Sequence, residues 1–161
     1  MKKYEYIDKR FMLEQTLTNV FAILIIFIAA YYALKGVVPV IMTLAFISAF
    51  YSVINNFVFK VNSKKVIIDK NKLSFEAYGK KDTYFIDAIK KIKLKEFPTN
   101  GKIYTRITDE NNKTHKYWIH TKSFNDGKEL FREMMYIEHD KHPDTLKAKS
   151  RDAEFSKERK K

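Results

Sequence analysis

Two long runs without ionisable side chains lie back to back in the first third of the chain. One covers residues 15–34 and the other residues 36–59, with Lys35 alone between them. A helix rises about 1.5 Å per residue, so each run is long enough to cross a hydrocarbon core of about 30 Å. The pattern therefore predicts a hairpin of two membrane-spanning helices over residues 15–59. A cleaved signal peptide would have a shorter apolar core, of about 7–15 residues, and a buried helical pair of a soluble protein would not stay uncharged for so long.

Small side chains recur every four residues in both runs, and this spacing lets two helices approach closely in lipid. The predicted packing residues are Ala29 and Ala33 in the first helix, and Ala45, Ala49, Ser48 and Ser52 in the second. Asn55 and Asn56 lie near the end of the second run. Two interpretations stay open for these amides: they bond across the hairpin or to a partner helix, or they simply lie in the polar interface.

Beyond Lys60 the pattern changes to alternating apolar and polar positions broken by polar turns, one of them predicted at residues 79–82. The alternation predicts six short strands, at residues 66–69, 73–77, 84–86, 89–97, 103–108 and 115–120. Ser123 and Asp126 then form a capping-box pattern, which predicts a helix whose apolar face runs from Leu130 to Ile137. The predicted fold is a membrane α-helical hairpin plus an α+β domain, in which a C-terminal helix caps an antiparallel, curved sheet of about six strands.

Four segments follow from these patterns. They are an N-terminal segment at 1–14, the hairpin at 15–59, a domain at 60–140 and a basic tail at 141–161. The tail has few apolar residues, so we expect it to be disordered or a marginal helix. Its charge suits electrostatic attachment to a membrane or to an acidic partner.

The net charge of +12 is divided unevenly along the chain. Residues 1–59 carry five Lys or Arg against three acids, whereas residues 60–161 carry 26 against 16. Basic residues flank the hairpin on both outer sides, and the short connection between the runs offers Lys35 alone. The positive-inside rule therefore predicts a multi-pass protein of the cell membrane with both termini in the cytoplasm.

The basic residues of the domain are the best candidates for a binding surface. Lys91, Lys93 and Lys95 alternate with apolar residues, so one strand would present three lysines on one face. Further lysines are predicted in nearby turns, at Lys64, Lys65, Lys80 and Lys81. Together they predict a contact with anionic lipid headgroups, or else an ordinary solvated face. A protein partner or a second copy of the chain is also expected, and nucleic acid is less favoured because the tail has one aromatic residue for stacking.

The sequence offers little for catalysis. Cysteine is absent, and no phosphate loop, nucleophile elbow or metalloprotease motif occurs. His139 and His142 are three residues apart, but the spacing supplies no third metal ligand. We therefore predict no catalytic residue, no metal site and no cofactor.

Two predicted spans followed by short strands and one terminal helix resemble the bacterial PH-like membrane proteins of the YcxB-like group. The segment from Ile119 through His120, Thr121, Lys122 and Ser123 to Phe124 is similar in placement to a segment that precedes the helix in that family. The resemblance implies a PH-like fold in a membrane setting without a general catalytic role. The expected function is a non-enzymatic interaction or regulatory module. An immunity or envelope-stress protein that protects against a membrane-active peptide is the alternative, and a membrane-bound enzyme is the third hypothesis.

Overall fold

The computed structural model describes residues 1–146 and 148–150 of the chain. The helices are α1 (Asp8–Leu34), α2 (Pro39–Val58) and α3 (Gly127–Lys141), and the strands are β1 (Lys2–Glu5), β2 (Lys65–Asp69), β3 (Lys72–Ala77), β4 (Lys80–Phe85), β5 (Lys91–Phe97), β6 (Lys102–Thr108) and β7 (Thr114–His120). Most of the tail predicted at 141–161 lies outside the described residues.

Helices α1 and α2 form the predicted hairpin, with 27 and 20 residues, and both are long and apolar enough to cross a membrane. Gly36 adopts a left-handed φ of 73° in the connection, a conformation that costs glycine little. Pro39 occupies the first turn of α2, where its missing N–H would have no helical partner. Each helix also contains a π-helical stretch near the domain, at Met12–Leu17 and Ile54–Val58.

Five of the six small residues named for hairpin packing are buried or partly buried. Ala29 and Ala49 are buried, while Ala33, Ala45 and Ser52 are partly buried. Ser48 is exposed instead, and its hydroxyl donates to the carbonyl oxygen of Ala45 in its own helix at 3.1 Å. The prediction that Ser48 packs against α1 is wrong, because helical rotation carries it away from the buried line through Ala45, Ala49 and Ser52.

The described residues form seven antiparallel strands, one more than predicted, in a four-stranded sheet (β1-β2-β3-β4) and a three-stranded sheet (β5-β6-β7). The additional strand is β1, which precedes the hairpin and pairs with β2 so that Tyr4 lies opposite Val66. Directly after β1, the backbone N–H of Tyr6 donates to the carbonyl oxygen of Lys64 at 2.8 Å. The hairpin is thus an insertion between two adjacent strands of one sheet.

The six predicted strands are all present, with shifted boundaries. The largest shift is at the turn predicted for residues 79–82, because the structure turns over Tyr78 and Gly79 alone. Both residues have positive φ, 47° and 75°, which is the geometry of a two-residue turn that matches strand twist. Lys80 and Lys81 consequently belong to β4, and Lys65 begins β2. The prediction that these three lysines lie in turns is wrong.

Helix α3 packs its apolar face against both sheets. Leu130, Met134 and Ile137 join the main core with residues such as Phe75 and Ile107. The helix begins after Asp126 rather than at Ser123, so the predicted capping box does not form. Ser123 belongs to a short 3-10 turn, Thr121–Ser123.

The other end of α3 covers the backbone of β5, an edge strand. A side-chain oxygen of Glu138 accepts the N–H of Leu94 at 2.7 Å, and Nε2 of His142 accepts the N–H of Ile92 at 3.1 Å. Side chains of the helix thereby occupy backbone donors that an open sheet edge would offer to another chain.

Candidate functional site

The structure does not bring the seven candidate lysines onto one surface. Lys91, Lys93 and Lys95 are exposed along β5 in the three-stranded sheet. The other four lie on or beside the four-stranded sheet. Three of them form ion pairs: Lys64 with Asp8 at 2.8 Å, Lys65 with Glu5 at 3.3 Å, and Lys80 with Asp82 at 3.1 Å. The fourth, Lys81, lies opposite Glu76 in the neighbouring strand. Of the seven lysines, the three of β5 therefore share one exposed face.

Strand register extends the β5 lysines into a larger surface. Lys93 lies opposite Arg106 of β6, and Arg106 lies opposite Lys116 of β7, so a row of three cations crosses the sheet. We call the outer face of this sheet the basic face; its twelve positions are Lys91, Lys93, Lys95, Phe97, Lys102, Tyr104, Arg106, Thr108, Thr114, Lys116, Trp118 and His120. Six of the twelve are Lys or Arg and none is acidic.

Aromatic rings lie beside these cations. The ring centroids of Phe97 and Tyr104 lie 5.4 and 4.9 Å from that of Trp118. Nζ of Lys95 is 5.2 Å from the ring centroid of Phe97, and the guanidinium carbon of Arg106 is 5.8 Å from that of Tyr104. These distances allow cation–π attraction, which holds the charged groups against the face rather than folded away from it.

Among the described residues, no carboxylate neutralises the central cations of the basic face. Within the described ranges 1–146 and 148–150, Lys91, Lys93, Lys95, Arg106 and Lys116 form no ion pair. Clustered charge of one sign raises the local potential and attracts anionic partners. The face can therefore bind an extended anionic surface.

A polar groove of about 920 Å³ adjoins the hairpin end of the basic face. We call it the junction groove, because the first turns of α1, the last turns of α2 and the ends of β5, β6 and β7 all contribute to it. Its lining residues are Arg10, Glu14, Gln15, Thr18, Asn19, Ser52, Asn56, Asn62, Phe97, Asn100, Lys102, Trp118, His120, Lys122 and Ser123. Three cations and one carboxylate lie among them.

Amide side chains form the inner wall of the junction groove. Asn19 of α1 is almost fully buried, and its Oδ1 accepts from Nδ2 of Asn56 at 2.9 Å and from the hydroxyl of Ser52 at 3.3 Å. Nδ2 of Asn62 in turn donates to Oδ1 of Asn56. The interpretation in which Asn56 and Ser52 bond across the hairpin is confirmed. Asn56 lies in a π-helical stretch and Asn19 lies just beyond the other one; such stretches occur frequently at functional sites.

A second hydrogen-bonded group links α1 to the end of β7. Glu14 accepts from the hydroxyl of Tyr6 at 2.6 Å and from that of Ser123 at 3.2 Å. Its carboxylate also lies 3.8 Å from Nδ1 of His120. Burial of the imidazole, together with the charge of Lys102, lowers the pKa of His120 to about 4. At neutral pH the imidazole is therefore uncharged, and Arg10, Lys102 and Lys122 outnumber Glu14 in the groove.

Three groove residues, Gln15, Asn19 and Lys102, are not among the residues predicted from sequence. A signal was available for the first two, because Gln15 and Asn19 continue the spacing of buried Ala22 and Ala29 along one side of α1. Lys102 gives no such signal, since its neighbours in the groove, Phe97 of β5 and His120 of β7, meet it only through inter-strand register.

The histidines do not form a metal centre. Among the described residues no group of three or more metal-ligating side chains comes together. His142 is instead engaged with the β5 backbone.

Comparison of the chain with family models, curated proteins and solved structures gave no match.

Proposed function

We propose that this chain is a non-enzymatic bacterial membrane protein whose PH-like cytoplasmic domain acts as an interaction or regulatory module at the cell membrane. In this proposal the basic face contacts anionic lipid headgroups. The observation that carries it is the outer face of the three-stranded sheet, with six cations and no acid. A lysine or arginine near an anionic bilayer contributes roughly 1 kcal/mol, so several acting together would hold the face against the surface.

The connection between the hairpin and the sheet supports this orientation. The chain leaving α2 runs along β7, where the N–H of Trp118 donates to the carbonyl oxygen of Val61 at 2.8 Å and the N–H of Ser63 donates to that of Trp118 at 3.2 Å. The basic face thus begins directly beside the helix that would leave the membrane.

The pairing of β1 with β2 supports a topology in which the N-terminus and the domain lie on the same side of the membrane. Two strands of one sheet cannot lie on opposite sides of a bilayer, and two spans between them return the chain to its starting side. The lysines and arginine near α1 favour the cytoplasm for that side. The arrangement of four plus three antiparallel strands with a terminal helix supports the PH-like assignment.

The lipid contact can be tested with the full chain in nanodiscs. Because the chain has no cysteine, Thr114→Cys gives a single fluorophore site on the exposed far end of the basic face. Quenching by headgroup-labelled lipid should rise with the anionic lipid fraction and fall at high salt. Changing Lys91, Lys93 and Lys95 to Glu should abolish the rise.

A charge-matched control changes Lys70, Lys72 and Lys81 to Glu, which alters the four-stranded sheet by the same charge. In this control the quenching should rise with the anionic lipid fraction as it does without the triple substitution. If anionic lipid quenches the fluorophore equally well in both triple variants, the basic face is merely solvated and the proposed contact is wrong.

The interaction role requires a protein partner or a second copy. Affinity purification of the full chain from nanodiscs should retrieve one in stable ratio, and repeated recovery of the chain alone as a monomer would contradict this part of the proposal. Protection against a membrane-active peptide stays a prediction, which a deletion strain with unchanged peptide sensitivity would remove.

A further inference from the structure

We infer that the junction groove is a binding site for the phosphodiester headgroup of one anionic phospholipid, held between the hairpin and the three-stranded sheet. The inference rests on the proposed membrane setting, but not on lipid contact by the far end of the basic face. It concerns one headgroup held in a groove rather than a surface that rests on many.

The charges of the groove favour an anion. Arg10, Lys102 and Lys122 supply three positive charges, against the single carboxylate of Glu14. That carboxylate faces the hydroxyls of Tyr6 and Ser123, which donate to it at 2.6 and 3.2 Å. The groove therefore presents an excess of positive charge to a ligand.

Donors remain available to bind it. Throughout the part of the chain that the structure describes, the ammonium group of Lys102 and the side-chain amide of Asn100 have no hydrogen-bond or ion-pair partner. Arg10 uses one guanidinium N–H on the carbonyl oxygen of Lys122 at 3.1 Å, which leaves further donors on its planar fork. A phosphodiester, with one negative charge shared by two oxygens, matches donors that converge from several directions.

The fixed position of Lys122 gives the groove a defined rim. Its Nζ donates to the carbonyl oxygen of Thr99 at 3.1 Å, and its aliphatic stem lies against Gly101, where any larger residue would collide with it. The hydroxyl of Thr121 also donates to the carbonyl oxygen of Gly101 at 2.9 Å. The loop after β5 and the segment after β7 are thereby joined around the opening.

A lipid fits the groove better than a soluble phosphate because one wall belongs to the hairpin. Thr18 lines the groove, and the same side of α1 continues with Phe21 and Ile25, which are exposed apolar residues. Acyl chains could lie along this surface while the headgroup enters the groove. The rings of Phe97 and Trp118 also line the groove, and tryptophan is enriched at membrane interfaces.

The single tryptophan of the chain provides an intrinsic reporter, because Trp118 lines the groove. The full chain in neutral detergent should show a saturable change in Trp118 fluorescence with short-chain phosphatidylglycerol, and a much smaller one with short-chain phosphatidylcholine. Lys102→Gln should weaken phosphatidylglycerol binding about fivefold, the effect of one interfacial cation. Equal responses to the two lipids would overturn the inference.

A second variant keeps the test independent of the folding of Lys102→Gln. Asn100→Asp places a negative charge at an exposed position of the groove, and Asn111→Asp places the same charge at the opposite end of the same sheet. Only Asn100→Asp should weaken binding, by fivefold or more. Equal affinities of the two variants would contradict the site.

Two further titrations distinguish a lipid headgroup from a soluble phosphate as the ligand. Inorganic phosphate and chain-free glycerophosphoglycerol should each bind at least tenfold more weakly than phosphatidylglycerol; binding as strong as that of the lipid would assign the groove to a soluble phosphate and overturn the lipid inference. These outcomes are separate from the nanodisc quenching assay. Quenching at the basic face can be absent while lipid still binds in the groove, and quenching can occur while the groove binds no lipid. The surface contact and the groove site can therefore be refuted separately.

Discussion

Mild acid should destabilise the folded chain through His120. This side chain keeps only 12% of its surface exposed, and burial together with the charge of Lys102 lowers its pKa to about 4, against 6.5 for an unperturbed histidine. The groups facing it are Lys102 from β6, Glu14 and Gln15 from α1, and the ring of Tyr6. The carboxylate of Glu14 favours the charged imidazole but does not offset burial.

The direction of the pH effect on stability follows from the lowered pKa of His120. Between pH 6.5 and pH 4 the unfolded chain binds a proton at His120 that the folded chain does not, so the free energy of unfolding decreases as the pH falls. At about 1.4 kcal/mol per pKa unit, the complete loss is about 3 kcal/mol, and about 2 kcal/mol of it is reached by pH 5. The carboxylate of Glu5, whose pKa is lowered by its hydrogen bonds from Lys3 and Lys65, loses its contribution only below about pH 4.5.

Thermal unfolding of the full chain in neutral detergent measures this effect. At about 2–4 °C per kcal/mol for a chain of this size, the midpoint should fall by about 4–8 °C between pH 7 and pH 5. His120→Gln can still bond to Gln15 but does not titrate, so it should lose most of this dependence. His139→Gln on α3 removes a histidine outside the groove and should retain it. If His120→Gln and the parent lose the same number of degrees, the stated role of His120 in acid sensitivity is refuted.

Three other substitutions test the packing. Asn19→Leu removes the acceptor that joins the two hairpin helices and should cost about 1–2 kcal/mol in mixed-micelle unfolding, whereas Val20→Leu on the exposed side should be neutral. Tyr4→Ala should cost about 3 kcal/mol, measured by denaturant titration, and a loss below about 0.5 kcal/mol would show that β1 is dispensable to the sheet. Phe75→Ala removes a ring stacked on Tyr117 with centroids 4.1 Å apart and should cost about 3–5 kcal/mol, seen as a lower denaturant midpoint.

The hairpin could be predicted from sequence because its signal is local. Twenty uncharged residues in a row determine a helix long enough for a bilayer without reference to the rest of the chain. The strands after Lys60 were predictable for a similar reason, since alternation and polar turns are read within a few residues. The ends of the strands differ from the prediction where turn geometry sets the boundary, as at the two-residue turn of Tyr78 and Gly79.

Strand β1 and the basic face could not be predicted in the same way. Lys2–Glu5 has one buried apolar side chain, Tyr4, so its sequence shows no alternation, and it becomes a strand only by pairing with β2 about 60 residues later. Arg106 and Lys116 join the β5 lysines through inter-strand register, which the linear pattern does not contain. The pattern around Ser123 predicts a helix cap, because its actual hydrogen-bond partner, Glu14, lies 109 residues away and a local pattern does not reveal it.

Insertion of the hairpin between β1 and β2 has a mechanical consequence for the proposed function. A membrane anchor joined by a flexible linker would leave its domain free to rotate, but here both ends of the hairpin enter neighbouring strands, and the N–H of Tyr6 bonds directly to the carbonyl oxygen of Lys64. The Asn19–Asn56 bond and the Glu14–Ser123 bond add connections from α1 to α2 and from α1 to the segment after β7. A tilt of the helices would therefore turn the three-stranded sheet with them, so that in the proposed membrane setting occupation of the junction groove and the angle of the basic face to the membrane would be coupled through the same few contacts.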